Sequence, residues 1–144
     1  MTKRSIASLN TDDEKDYGVG HGIGSAVSFD LCKDKTVAAF DPANVITVMT
    51  GPIQGTMAPF GSGRVEVQGI GAQGYPIEWF TRSNFGGRFA GHLKFAGWDG
   101  IAVTGKADKP VWIHSRDQKL AIRGARESGD KLWCRDSVVV AKKT

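Results

Sequence analysis

From residue 17 onward the apolar positions switch between two spacings. Ile23, Ala26, Val27 and Leu31 recur at helical spacing, after the glycine-rich opening YGVGHGIG. This predicts a short helix. ANVITVMTG is then apolar and β-branched, bounded by Pro42 and Gly51, and predicts a buried strand. RVEVQ alternates with period two and predicts another strand, and IEWFTR a third. GPIQGTMAPFGSG is a long loop with Gly and Pro as breakers, and GIGAQGYP is a turn. Helical spacing returns in GGRFAGHLKFAG, where Phe89, Leu93 and Ala96 share a face and Gly97 marks the stop. GIAVTG, PVWIHS and KLAIRGA predict three further short strands, the last two joined by a turn at SRDQ. The order helix, three strands, helix, three strands predicts an α+β fold of short-stranded mixed β-sheets with two short helices. Residues 1–16 are polar and end in NTDDEKD, which predicts a flexible tail and leaves 17–144 as one domain.

Composition changes this picture at one point. Hydrophobic residues are 40% and charged residues 24% of the chain, the balance of an ordinary globular domain. Glycine is the outlier: of 19 glycines, 13 fall between Gly51 and Gly105. The stretch NFGGRFAGHLKFAGWD, residues 84–99, holds four glycines and four large aromatics. Glycine in a helix interior costs roughly 0.5–1 kcal/mol against Ala, so something must lie close to this backbone. The net charge of +4 permits an anionic ligand. Lys and Arg are scattered among acidic residues, so nucleic acid is not expected. Cys32 and Cys134 are too few and too far apart for an iron–sulfur cluster or a four-cysteine zinc site, and a reducing, cytoplasmic setting is expected. No apolar stretch follows Lys3 and Arg4, so no signal peptide is expected, and no apolar run has the length of a membrane span.

Several segments carry candidate chemistry. Gly69 to Gly74 fits G-x-G-x-x-G, but Pro76 and β-favouring residues follow, so no helix opens to receive a pyrophosphate; the segment reads as a strand–strand turn. The loop from Gly51 to Arg64 can present backbone N–H groups to an anion, with Arg64 offering a bidentate fork, or it is a long surface connection. Gly86 and Gly87 stand before a helix, where paired glycines let a phosphate approach; equally, they permit a sharp turn that Asn84 caps. His21, His92 and His114 are dispersed and read as surface or core histidines. Lys94 and Asp99 read as structural, and Trp79, Trp98, Trp112 and Trp133 as core or interface anchors.

Three stretches, TGPIQGTMAPFGSGR, SNFGGRFAGHLKFAGWDGIAVTGKADKPVWI and the later LW, together resemble the N-terminal domain of the aldehyde:ferredoxin oxidoreductases, the tungsten-pterin enzymes. Relatives of that family include the tungsten subunit of class II benzoyl-CoA reductases. The resemblance runs over about residues 45–135. Upstream, GVGHGIGSAV is similar to the family's helix opening, with His21 in place of an Arg. The resemblance implies two β-sheets related by a pseudo-twofold axis, forming the base under a bis-molybdopterin tungsten (or molybdenum) cofactor. Gly63 and Arg64 would contact the pterin, and Asn84 would help hold the magnesium ion bridging its phosphates. Gly86 and Gly87 would let the cofactor approach, and the aromatics would anchor the supporting helix. Phe60 and Phe85 stand where the family has small or hydroxyl residues, both near the presumed pterin site.

The resemblance further implies a partial domain. A second glycine-rich segment, the [4Fe–4S] ligands and the aldehyde pocket would belong to remaining domains or a partner subunit, and ferredoxin would accept the electrons. By itself the chain is expected to be inactive. The alternative is a standalone, non-catalytic binding or structural module that kept the fold without the cofactor.

Overall fold

A computed structural model describes residues 6–8, 18–58, 62–74, 76–107, 111–116, 118–124 and 138–143. The elements are β1 (Ile6–Ser8), α1 (His21–Leu31), β2 (Val45–Thr50), β3 (Val65–Gly71), β4 (Trp79–Phe85), α2 (Phe89–Phe95), β5 (Trp98–Thr104), β6 (Val111–Arg116), β7 (Lys119–Gly124) and β8 (Val138–Lys143). Six strands form one sheet in the order β1-β8-β5-β2-β3-β4, and β6 and β7 form a second, two-stranded sheet. All pairings are antiparallel except β1 with β8, which is parallel, so the large sheet is mixed. This is the α+β architecture expected, with two helices.

Period-two alternation builds the two faces of the large sheet. Val45 and Met49 of β2, Ile70 of β3 and Ala102 of β5 meet Ile23 and Val27 of α1 and Cys32, which caps it, on one face. On the other, Ile101 of β5 packs with Leu93 of α2 and Trp98, against Ile113, Leu120 and Ile122 of the β6–β7 hairpin. The central strands are therefore covered on both sides. The Lys94 ammonium is ion-paired with the Asp99 carboxylate, tying the last turn of α2 to β5, as their structural reading anticipated. Gly69-x-Gly71 lies within β3 and runs through a short turn into β4, so no dinucleotide site is built there.

Several expectations need correction. Residues 6–8, placed in the flexible tail, form β1, with Ile6 opposite Val139. Three residues carry no readable period, and their pairing depends on a strand more than 130 residues away. β8 (Val138–Lys143) is a further strand that the sequence reading does not anticipate, paired with β1 and β5. β4 runs on through Ser83 to Phe85, so Asn84 lies in a strand and caps no helix; Arg88 is the N-cap of α2, without a side-chain cap bond. The buried residues of α2 are Ala90 and Leu93, whereas Phe89 is 43% exposed. Only Trp98 of the four aromatics in residues 84–99 anchors the core; Phe85, Phe89 and Phe95 are exposed. Trp79 is exposed too. The two sheets are unequal among the described residues, six strands against two. Phe60, Trp133 and Cys134 lie outside the described residues.

Candidate functional site

The site is built where β3 meets β4. Their register sets Val65 opposite Phe85, Glu66 opposite Asn84, Gln68 opposite Arg82 and Ile70 opposite Phe80. Alternation puts Glu66, Gln68 and Ile70 on one face with Asn84, Arg82 and Phe80. Arg64, just before β3, reaches this row: its Nη1 donates to Asn84 Oδ1 at 3.0 Å. Two of the residues singled out, 20 positions apart in the chain, are thus joined directly.

The loop leading into Arg64 is held rather than loose. Gln54 is buried, and its Nε2 donates to the Arg64 carbonyl at 2.9 Å. The loop also lies against α2: a Cβ added at Gly55 would stand 3.2 Å from Gly91 Cα. Gly55, with φ +77°, is the residue this close approach requires to be glycine; a Cβ on Gly91 would stand 3.5 Å from Gly55 Cα, an ordinary packing contact. At the end of the loop a Cβ on Gly63 would stand 2.8 Å from the carbonyl oxygen of Gly87. Gly63 and Gly87 thus bring two backbone segments into close contact. Gly87 has φ +102°, a conformation that side-chain-bearing residues rarely adopt, while a Cβ on Gly86 or Gly87 would meet nothing within 4 Å. Arg64, Asn84, Gly86 and Gly87 are all exposed and form one surface group, the cradle, which Gly63 joins through its contact with Gly87.

A carboxylate sits behind the cradle. His21 Nδ1 lies 2.6 Å from Glu66 Oε1, and Arg82 Nη1 lies 3.6 Å from the same oxygen. Gln68 Nε2 donates to Glu66 Oε1 at 3.3 Å and to the His21 carbonyl at 3.1 Å, and Ser25 Oγ donates to Gln68 Oε1 at 3.2 Å. Burial raises the Glu66 pKa, but the hydrogen bonds from His21 and Gln68 and the nearby charges outweigh it, so the carboxyl titrates below its ordinary value. The network ties the start of α1 to the strand row that holds Asn84. Glu66, Gln68 and Arg82 were not singled out from the sequence, although the alternation in RVEVQ already places Arg64, Glu66 and Gln68 on one face.

Phe85 does not crowd this row. It neighbours Asn84 in an extended strand and so points to the opposite face, where its ring centroid lies 5.5 Å from that of Phe89. His92 and His114 take no part in the site. Among the described residues no group of three or more His, Cys, Asp or Glu could hold a metal ion. Chemically, the cradle offers a guanidinium with one N–H committed to Asn84 and others left over, an amide, and open backbone; that set suits an anion with a flat body.

Comparison with known proteins bears on this set. The family model for the aldehyde ferredoxin oxidoreductase N-terminal domain matches residues 1–143. The tungsten-containing aldehyde ferredoxin oxidoreductase of Pyrococcus horikoshii is 40% identical over 99 residues, covering 69% of this chain and 16% of the relative. That of Pyrococcus furiosus is 44% identical over 93 residues, covering 64% of this chain and 14% of the relative. Among solved structures, the active-site complex of benzoyl coenzyme A reductase bound to 1,5-dienoyl-CoA superposes with a TM-score of 0.74 at 27% identity, over 85% of this chain and 19% of that one. The chain thus spans less than a fifth of the proteins it matches.

Proposed function

The chain belongs to the aldehyde ferredoxin oxidoreductase family, whose N-terminal domain it matches over residues 1–143, and on that premise we propose that it seats the pterin cofactor of a tungsten or molybdenum oxidoreductase in the cytoplasm. One observation carries the proposal: Arg64 and Asn84 are hydrogen-bonded at 3.0 Å, and Gly86 and Gly87, which follow Asn84 closely in the chain, have Cβ positions in empty space. When bound, the cofactor would supply two-electron oxidation of an aldehyde to a carboxylate, with electrons leaving through a [4Fe–4S] cluster held elsewhere to ferredoxin.

The chain's own residues would bind and orient. Arg64 gives its spare N–H groups to the pterin or its phosphates. Asn84 fixes the guanidinium through Oδ1 and would help hold a magnesium ion accompanying the cofactor. Gly86 and Gly87 admit the cofactor to backbone distance, and Gly63 lets the two segments meet beneath it. Phe85, turned to the other face, leaves that space free.

The exposed aromatics fit a docking role. Phe85, Phe89 and Phe95, with Ile53 and Met57 of the adjoining loop, are large apolar side chains left in solvent beside the cradle. A patch of this kind marks an interface, and we assign it to the remaining domains or subunit of the oxidoreductase. On this reading the chain alone does not turn over aldehydes. Among the described residues no helix is long and apolar enough to cross a membrane.

The test is metal analysis of protein purified from its native source, with the intact mass of every co-purifying chain. Stoichiometric tungsten or molybdenum, lost on Arg64→Ala, is the expected result. A lone 15.5 kDa species without either metal would instead establish a standalone module that kept only the fold.

A further inference from the structure

Along the chain the basic residues are scattered among acidic ones, but the pairing of β6 with β7 gathers several on one face. The register sets Trp112 opposite Arg123, His114 opposite Ala121 and Arg116 opposite Lys119. Residues directly opposite in an antiparallel pair share a face, so these six side chains stand together. Ile113, Leu120 and Ile122 alternate with them and pack against Leu93, Trp98 and Ile101. That face of the hairpin is spent on the core, and the other turns outward. Arg116, Lys119 and Arg123 are exposed there, whereas Trp112, His114 and Ala121 are half-buried.

The outward face offers cations and hydrogen-bond donors. Neither strand, VWIHSR nor KLAIRG, contains an Asp or Glu. Asp117, between them, lies outside the described residues. Lys119 and Arg123 take part in no ion pair among the described residues. Arg116 and Lys119 are like charges set directly opposite each other, a pairing that repels and that an anion relieves. Trp112 Nε1 is buried with no acceptor among the described residues, so a donor is left unmet as well. The rings are already engaged. Trp112 and His114 meet at 5.2 Å between centroids, inclined by 66°, and the Arg123 guanidinium lies 5.8 Å from the Trp112 centroid. Arg123 thus lies over the ring that a nucleic-acid base would need for stacking, whereas a carboxylate needs only the guanidinium and the ammonium.

We propose that this hairpin face docks an extended acidic segment of a partner protein, with the partner's carboxylates at Lys119 and Arg123. These two cations are four residues apart on β7, about 13 Å at the rise of a strand. Glu or Asp residues at i and i+4 of an extended segment lying along β7 repeat that distance. Ala121, between the cations on the same face, is small and leaves room there. Arg123 meets its carboxylate with a planar fork, the strong form of such a pair. The surface lies on the α2 side of the large sheet, away from α1, and stands whether or not a pterin binds the cradle.

The test is a titration of the full 144-residue chain with an acetylated, amidated hexaglutamate peptide at low salt, with hexaglutamine as the neutral comparison. Backbone amide shifts and the Trp112 indole N–H report binding. The expected result is saturable shifts centred on Trp112, His114, Lys119 and Arg123, and none with hexaglutamine. Lys119→Gln and Arg123→Gln should each weaken binding about threefold, the worth of one exposed charge pair, and together about tenfold. Lys33→Gln, at an exposed lysine just after α1, should leave the affinity unchanged. Shifts centred on Arg64, Arg82 or Arg88, equal binding of hexaglutamine, or full affinity in the double variant would each overturn the proposal. A thymidine hexanucleotide that binds this face more tightly than the peptide would give it to nucleic acid and overturn it too. So would a concentration-dependent doubling of mass by light scattering, with the same amides shifting in the absence of peptide, which would give the face to a second copy.

Discussion

β2 and β4 lie in the same sheet, separated only by β3, and both are rich in large apolar side chains. β2 has Val45, Thr47, Met49 and Thr50 buried, whereas every residue of β4 but Thr81 is exposed, Trp79, Phe80 and Phe85 included. The difference is position. α1 and α2 cover the sheet over β2, β3 and β5, and their cover ends before β4. Among the described residues β4 is also an edge strand, with one side of its backbone unpaired. Edge strands that stay monomeric are usually short or charged. This one is seven residues long and carries three large aromatics, so its exposure in this chain is the signature of surface made to be covered.

If burial rather than composition sets what these strands contribute, mutations should separate them sharply. Met49→Ala, in a fully covered position, is expected to lower stability by about 2–5 kcal/mol in urea unfolding, from lost transfer energy and the void left behind. Trp79→Ala removes a larger side chain but one that is 60% exposed, and should cost less than about 1 kcal/mol. Equal losses would mean that β4 is covered in solution and that the contrast between the strands is false.

The cradle sharpens the comparison, because scaffold and ligand surface meet in adjacent glycines. Gly63→Ala forces a Cβ to within 2.8 Å of the Gly87 carbonyl, backbone against a two-residue turn, and is expected to cost about 1–3 kcal/mol. Gly86→Ala meets nothing within 4 Å and should leave the unfolding midpoint almost unchanged. Its methyl group nevertheless occupies the cradle, so metal content in protein from the native source should fall. Thermal melts and metal analysis of the two variants separate the roles. A Gly86→Ala variant that keeps full metal content would take Gly86 out of the site.

How much of this was legible follows the same divide. The helix spacing of Ile23, Val27 and Leu31 and the alternation in RVEVQ are local patterns, and both elements formed where they were read. The resemblance carried Arg64 and Asn84 together, and the structure joined them by a hydrogen bond. What could not be read depends on distant partners. Ile6–Ser8 is a strand only because β8 lies beside it. Phe89 has the helical spacing of a core residue from Leu93, yet it is 43% exposed, and the ring it meets is that of Phe85 on edge strand β4, itself exposed. Gly55 must be glycine because it packs on Gly91 of α2, 36 residues later in the chain, which no local pattern shows. Period specifies a face, and only the assembled fold says what that face meets.

Glu66 stands at the boundary between the two regimes, and its titration tests the boundary at the smallest scale. Its side chain is 21% exposed, between buried Gln68 on one side and exposed Asn84 and Arg82 on the other. The groups facing it are His21 from α1, Gln68 from its own strand and Arg82 from β4, and together they hold its pKa below the ordinary value despite the opposing effect of burial. An acid depressed in the folded state contributes stability that is complete above its unfolded value, near about 4.3, and is lost as pH falls through the lower folded value. Glu66→Gln should therefore lower stability by a few tenths to about 1 kcal/mol at neutral pH, because the partners are half-exposed and solvent screens them. The gap between wild type and variant should stay level down to about pH 5 and shrink below it. Urea midpoints measured at half-unit intervals from pH 7 to about 3 resolve this. A gap that widens toward acid would mean that burial dominates, and that Glu66 belongs with the covered strands and not with the open edge.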